Sequence, residues 1–562
     1  MAMAKHIPDL STLIEYFYHW ESTTPDTVFL RQPKGDQWLS LTFAEAGEQA
    51  RRIASAIESH GLVQGDHVAI LSKNCYHWII ADLAIHMAGC VSVPLYPSLP
   101  KEQLNDVINK SDAKLIFVGK LDEWGDKYGA IPTGVGIIKF PHYTGAAKVA
   151  QGESWEDLMQ KHEPKSTNHI PDPDSLWTIL FTSGTTGSPK GVMHLHKTPA
   201  MIMHSEKKTS WLGILDSDVQ KYFSFLPLNH VAERLGMETP AIVTGGMISF
   251  AESLETFAKN LQETQPTTFF AVPRIWTKFY LGVLSKMPQK KMDRLFKIPI
   301  VSGIVKKKLL TALGMRDAKV VATGAAITPG HLKDWYKKLG IHLIEAYGMT
   351  EVCGSITNSP MRDCPPDSVG RVIPGAEIKI DEETGEILMK TPFMMTGYYK
   401  DEEKTNEVLI DGWMHSGDKG TIDDDGYLRV IGRVKDAFKT SKGSYITPNP
   451  MEEIYTKNDY IEQICVAGLG IPQPIALLNL SELGLSVDKE EVIKSLLETT
   501  EKVNAKQANY SKISTIIINR ENWSQENDLL TPTLKVKRSK LDERFGEHYL
   551  NWHEADKKII WE

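Results

Sequence analysis

Two hydrophobic rhythms take turns along this chain. Residues 41–62, LTFAEAGEQARRIASAIESHGL, place apolar side chains three and four apart and stop at Gly61, which predicts an amphipathic helix. GDHVAIL at 65–71 and CVSVPLYP at 90–97 are short apolar runs that predict buried strands, and residues 77–89 between them have helical spacing. The exchange recurs, with strands expected at 113–119, 267–273, 318–324 and 341–348 and helices at 252–264 and 329–339. Strands alternating with helices predict parallel α/β layers.

After Gly370 the texture changes. IKIDEETGEILMK (378–390) predicts a hairpin turning at 383–385, and DDDGYLRVIGR (423–433) repeats the form with its turn at 424–426. Such alternation predicts a small β-barrel or sheet closing the large lobe. From about Lys435 the chain looks like a separate, smaller unit. The fold class expected is α/β: a large N-terminal lobe of layered α/β subdomains plus a small β-barrel (1–432), then a smaller α+β C-terminal domain (433–562).

The densest chemistry lies at 180–191, LFTSGTTGSPKG, directly after the strand-like LWTIL of 176–180. Thr182, Ser183, Thr185, Thr186 and Ser188 stand among Gly184, Gly187 and Gly191, with Lys190 near the end. Glycines let backbone N–H groups approach a ligand, hydroxyls add donors and the lysine adds charge, so the string reads as a cradle for phosphate oxygens. Its spacing is not that of the kinase and GTPase loop, in which Gly-Lys is followed by a hydroxyl residue. Here Lys190 is followed by Gly191.

Composition narrows the classes. The 562 residues leave room for large cores, and a net charge of -8 without basic tails points away from nucleic acid. Cys75, Cys90, Cys353, Cys364 and Cys465 are scattered, with no C-x-x-C pair for a zinc site or a disulfide framework. The opening MAMAKHIPDLSTLIEYF lacks a signal-peptide core, and the longest apolar run, 78–96, is broken by Asp82, His86 and Pro94. A reduced, cytoplasmic protein is expected. His194, His196 and His204 form only a weak metal pattern; there is no G-x-S-x-G elbow, and GLG at 468–470 lacks the third glycine of a dinucleotide fingerprint.

Six further strings follow the loop in order: LPLNHVAER (226–234), TGAAITP (323–329), EAYGMTE (345–351), HSGDKG (415–420), GRVKDAFKTSKGSYITP (432–448) and LTPTLKVKR (530–538). With FTSGTTGSPKG they closely resemble the acyl-adenylate-forming superfamily over about residues 30–545. VPRIWTKFY (272–280) and LTPTLKVKR look most like long-chain fatty acyl-CoA synthetases. The resemblance implies that ATP, a fatty acid and CoA give acyl-CoA, AMP and pyrophosphate, with Mg²⁺ as cofactor. It assigns Lys535 to bridging the carboxylate and the α-phosphate, with Lys190 beside the phosphates, and Glu351 to magnesium, with Thr185. Thr182, Ser183, Gly184, Thr185, Thr186, Gly187, Gly348 and Thr350 fall to the nucleotide. Tyr347 would lie on one adenine face with Gly324 and Ala325 on the other. Asp418, supported by Arg433, would take the ribose hydroxyls, and His230 would stand between acyl pocket and thiol entrance. Lys435 would be the hinge of a mobile C-terminal domain whose loop with Lys439, Lys442 and Gly443 turns to face CoA.

The chemistry gives an independent reason for so much positive charge. Two unit charges of one sign at 4 Å oppose each other by roughly 4 kcal/mol at an effective dielectric of 20, and adenylation brings a carboxylate to a triphosphate. The basic residues Lys286, Lys290, Lys291, Arg294, Lys297, Lys306, Lys307 and Lys308 flank IPIVSGIV; they suit either a solvated helical hairpin or a peripheral contact of 286–308 with the cytoplasmic membrane face. A homodimer is compatible with the sequence. Competing readings are the same adenylation with an aryl or β-hydroxy acid or another acceptor, and a nucleotide-binding regulator without turnover.

Overall fold

The computed structural model describes residues 7–182, 189–216, 219–359, 364–531, 534–555 and 557–562, with backbone alone at 216 and 435. The predicted exchange of helix and strand is present. The helix Phe43–Ser59 starts on a capping box, in which Thr42 and Glu45 satisfy each other's backbone N–H groups. Strands His67–Ser72, Val91–Leu95 and Ala113–Gly119 run parallel in register, with the buried helix Tyr76–Met87 between the first two. The helix expected at 252–264 is shorter, Phe257–Thr264. Ser253 and Thr256 trade side-chain-to-backbone hydrogen bonds ahead of it, closing a turn that competes with helix.

The described residues form two large sheets. An eight-stranded sheet has Leu176–Thr182 beside Val91–Leu95 on one flank and antiparallel to Lys190–Leu195 on the other. A nine-stranded sheet runs Val320–Gly324 parallel to Leu343–Met349, which then meets Gly354–Asn358 antiparallel. Between the sheets lies a core that includes Trp78, Trp177, Tyr222 and Ile248. Of the two forms that the alternation after Gly370 allowed, the structure has a five-stranded sheet: Glu377–Ile380 pairs with Glu386–Lys390, and Trp413–Ile422 with Leu428–Arg433.

Beyond Arg433 the chain builds the smaller domain. A two-stranded hairpin, Phe438–Lys439 with Tyr445–Ile446, precedes a four-stranded sheet of Ile461–Ala467, Ile475–Leu480, Ile516–Ile518 and Ile559–Trp561. The sheet buries its two faces in separate clusters, one around Val466, Leu478 and Tyr455, the other around Cys465, Leu477 and Trp523. No helix of the described residues is long and apolar enough to cross a membrane.

Candidate active site

The predicted residues that the structure describes fall into three clusters. The first begins at the phosphate loop. Thr182 and Lys190 face each other across the Leu176–Thr182/Lys190–Leu195 ladder. Ser183, Gly184, Thr185, Thr186 and Gly187, including the magnesium assignment of Thr185, lie outside the described residues. Lys190 Nζ stands 4.9 Å from the ring centre of Tyr398, whose hydroxyl donates to Glu351 Oε1 at 2.7 Å. Burial, then the Glu351 carboxylate, pushes the Tyr398 phenol far above its ordinary range, so it stays a proton donor. Sequence reasoning missed Tyr398; its one signal is the TGYY string at 396–399, whose strand Gly397–Tyr398 pairs with Val192 and Met193.

Glu351 sits in a buried turn held from both sides. Met395 N–H donates to its carbonyl at 2.7 Å, and His194 Nε2 meets the carbonyl of Thr350 at 2.7 Å. Burial pulls the His194 imidazole down to about 4, so at neutral pH it is uncharged and Nε2–H donates to that carbonyl. His194, weighed as a metal ligand, instead ties the strand after Lys190 to the turn with Glu351. Magnesium commonly binds through one or two carboxylates together with substrate phosphates. Glu351, with one oxygen committed to Tyr398, whose ring faces Lys190, fits that donor set.

The second cluster is Tyr347, Asp418 and Arg433. Asp418 and Arg433 are direct partners across an antiparallel ladder, and Arg433 Nε lies 2.8 Å from Asp418 Oδ1. Tyr347 O–H donates to Asp418 Oδ2 at 2.7 Å. A carboxylate offers about four lone-pair sites, so both oxygens can still accept from hydroxyls. Gly324 faces Ala346, the neighbour of Tyr347, in the parallel register. A Cβ on Gly324 would stand 2.8 Å from the Ala346 carbonyl oxygen, so close strand packing there requires glycine. Ala325 adopts φ 65°, the left-handed region. Its loop is closed by a hydrogen bond between the Thr323 and Thr328 hydroxyls at 2.9 Å and by Thr328 N–H donating to Glu345 Oε1 at 2.7 Å. Glu345, also paired with Lys333, was missed although it opens EAYGMTE. Gly348, predicted to touch nucleotide, has a different constraint: a Cβ would lie 1.8 Å from the Gly354 carbonyl oxygen on the adjoining strand.

The third cluster contains His230 and Lys535. His230 caps the turn Val231–Glu233, its Nδ1 accepting from Ala232 N–H at 3.1 Å. Burial, then Lys535, draws the imidazole down to about 4. A neutral ring whose Nδ1 accepts carries its proton on Nε2, so His230 presents a donor. Lys535 is exposed overall, yet its ammonium is shielded by protein, and its pKa is lowered first by that desolvation and then by Arg433, against the pull of Asp418. One lysine head therefore feels the second cluster and His230 together. Its segment is pinned locally: Lys535 N–H donates to Thr531 Oγ1 at 3.0 Å and Leu530 bridges Val536.

Behind His230 the helix widens into a π-turn, Arg234–Glu238, a local irregularity often found at functional sites. Arg234 is fully buried, its guanidinium 4.1 Å from the Trp177 ring and 5.4 Å from Trp78. It pairs with Asp82 and Glu238 and donates to Thr178 Oγ1 at 3.1 Å, which joins LPLNHVAER to the strand Leu176–Thr182. Glu233 takes Ser224 Oγ at 2.7 Å and Phe225 N–H at 3.0 Å on Oε1, while Oε2 is buried without a partner among the described residues. Burial pushes its carboxyl up to about 8, so it is mostly protonated at neutral pH.

The structure does not bring Lys439, Lys442 and Gly443 into these clusters. They lie on the exposed hairpin of the small domain, where Lys439 Nζ covers the Tyr445 ring at 5.6 Å and Gly443 turns with φ 84°. Lys435 lies in the short turn Val434–Asp436.

The family model "AMP-binding enzyme" matches residues 17–399, and "AMP-binding enzyme C-terminal domain" matches 435–548. The chain is 27% identical to a peroxisomal long chain acyl-CoA synthetase of Arabidopsis thaliana, over 97% of this chain and 87% of that protein. It is 26% identical to a long-chain-fatty-acid–CoA ligase of Mycobacterium bovis, over 94% and 95% respectively. An anthranilate CoA ligase solved in complex with anthranoyl-AMP shares the fold with a TM-score of 0.76, at 19% identity, over 96% of this chain and 98% of that one.

Proposed function

Because the chain belongs to the AMP-binding enzyme family, we propose that it activates a long-chain fatty acid with ATP and transfers the acyl group to CoA. In the first half-reaction a carboxylate oxygen attacks the α-phosphorus, forming acyl-AMP and releasing pyrophosphate. In the second the CoA sulfur attacks the acyl carbon, the thiol proton is lost to solvent or buffer and AMP leaves. The observation that supports this reading best is that the Lys535 ammonium is felt by His230 and itself feels Arg433 and Asp418, which are paired with each other.

Each residue has work suited to its chemistry. Lys535 stabilises charge where the carboxylate meets phosphate, and Lys190 does so on the phosphate side. Asp418 accepts the ribose hydroxyls, Tyr347 flanks the adenine opposite Gly324 and Ala325, and Thr182 and Thr350 edge the phosphates. His230, neutral with its proton on Nε2, donates a hydrogen bond to the acyl oxygen and does not serve as a base. Glu351 would hold Mg²⁺, which on binding neutralises phosphate charge.

Our reading sets the domain boundary between residues 432 and 433, with the hinge at Lys435. Rotation there withdraws Lys535 and turns Lys439 and Gly443 towards CoA, which gives two half-reactions different sites. The fatty-acid substrate is supported by the names of the two curated relatives, whereas the anthranilate ligase favours an aryl acid as the second reading. Peripheral contact with an anionic bilayer is part of the first reading. None of the 14 residues of the helix Pro299–Ala312 is buried, and Ile298, Ile300 and Ile304 are 51%, 80% and 55% exposed among the lysines.

The test is pyrophosphate release and CoA-thioester formation across straight-chain acids from short to very long, with anthranilate and benzoate alongside. Long-chain acids are expected to give the highest kcat/KM. Preference for an aryl acid replaces the substrate, and absence of acid-dependent pyrophosphate with every acid removes the reading.

A further inference from the structure

An ion pair bridges the two domains far along the sequence from the hinge. Arg274, at the start of the helix Pro273–Lys286 in the large lobe, pairs through Nη2 with Glu462 on the strand Ile461–Ala467 of the small domain. The two side chains are 38% and 29% exposed, and Arg274 Nε is buried without a partner among the described residues, so the guanidinium is partly enclosed. Around them the domains sense each other's charge: Asp459 acts on Tyr280, and Lys457 on His331.

The strand that holds Glu462 also holds the lysine segment. Arg538, three residues after Lys535, donates to the Val466 carbonyl, lies 3.1 Å from Cys465 Sγ and pairs with Glu452 at 2.7 Å. Glu452 in turn accepts from Val466 N–H at 2.7 Å. Glu462 and the Lys535 loop are therefore fixed to one rigid sheet. The covalent connection at 433–436 limits the separation of the domains and leaves their rotation free. A second contact away from that thread is what sets the angle.

We infer that Arg274 and Glu462 form a clasp holding the small domain in the orientation that puts Lys535 at Asp418 and Arg433, which makes Arg274 a positioning residue for the first half-reaction. The inference rests on the adenylate-forming reading above. A partly exposed pair biases an equilibrium by roughly fivefold. That is enough to favour one orientation and weak enough to open on every turnover.

The experiment uses the full chain with Arg274→Glu, Glu462→Arg and both together. Each single reversal is expected to lower acid-dependent pyrophosphate release by about fivefold or more. Thioester formation from supplied acyl-adenylate and CoA should be unchanged or faster. The double reversal should restore the first rate to within about twofold, because it recreates the pair. A second readout needs no turnover: spin labels at Leu254→Cys and Leu485→Cys, 90% and 67% exposed on the two domains, in a Cys364→Ser background. A narrow interdomain distance distribution should broaden with Arg274→Glu and narrow again with both changes. Equal loss of both half-reactions, no rescue, or distances indifferent to the reversals overturn the clasp. An unmodified chain that never releases pyrophosphate sinks the functional reading instead, and the distance measurement still decides the clasp.

Discussion

Tyr347 donates its hydroxyl to Asp418 at 2.7 Å, tying the strand beside the proposed adenine site to the carboxylate proposed for the ribose. Arg433 holds the other oxygen of the same carboxylate, so three residues from separate motifs set one geometry. Tyr347→Phe keeps the ring and removes the bond. A hydrogen bond to a charged group is worth about 1.5–3 kcal/mol, so stability should fall by up to about that much and KM for ATP should rise by about tenfold. An unchanged KM for ATP would show that the hydroxyl does not position Asp418 for nucleotide.

In the proposed mechanism Lys535 supplies the charge at the reacting carboxylate, since Arg433 is committed to Asp418. Lys535→Ala should cut pyrophosphate release by at least about 10²-fold, the usual cost of losing one preorganised donor. Thioester formation from supplied acyl-adenylate should survive. A near-normal adenylation rate refutes the role.

Glu233 has a folded-state pKa raised from 4.5 to about 8, caused first by burial. Between those values the folded chain binds the proton more tightly than the unfolded chain, so stability falls as pH rises through that window. Glu233→Gln keeps the shape and removes the titration. The unmodified protein should lose more Tm than the variant between pH 5 and pH 8.5. Parallel Tm profiles for the two proteins would mean that Glu233 is ionised throughout.

Arg234 is fully buried between two indoles; it neutralises Asp82 and also pairs with Glu238, whose carboxyl burial pushes up towards the protonated form. Arg234→Met leaves those carboxylates without their cation, which should cost about 3–5 kcal/mol in urea unfolding. A loss below about 1 kcal/mol would mean that Asp82 is neutral in the folded chain.

The exposed isoleucines near 298–304 should take the protein to vesicles containing an anionic lipid and not to neutral ones. Ile300→Glu with Lys306→Glu should abolish flotation and leave turnover in detergent unchanged. Binding that ignores lipid charge and both substitutions ends the membrane reading.

Much of this was legible before any coordinates. Helix and strand follow from apolar spacing, a local property, so Phe43–Ser59, His67–Ser72, Leu176–Thr182 and Gly330–Leu339 lie close to where the sequence predicts them. Motif order was enough to indicate the family, and the resemblance nominated Lys190, Glu351, Asp418 and Lys535, in keeping with the need for clustered cations in chemistry at phosphorus. Spacing alone was blind to Tyr398 on Glu351, to His194 under Thr350, to the partners of Arg234 and to the reach of Arg274 to Glu462. Such pairs form when sheets and domains close on each other, and the depth of burial that holds His230 neutral and Glu233 protonated exists only after that closure. Periodicity is written residue by residue along the chain, whereas proximity between distant segments and exclusion of water belong to the packed molecule.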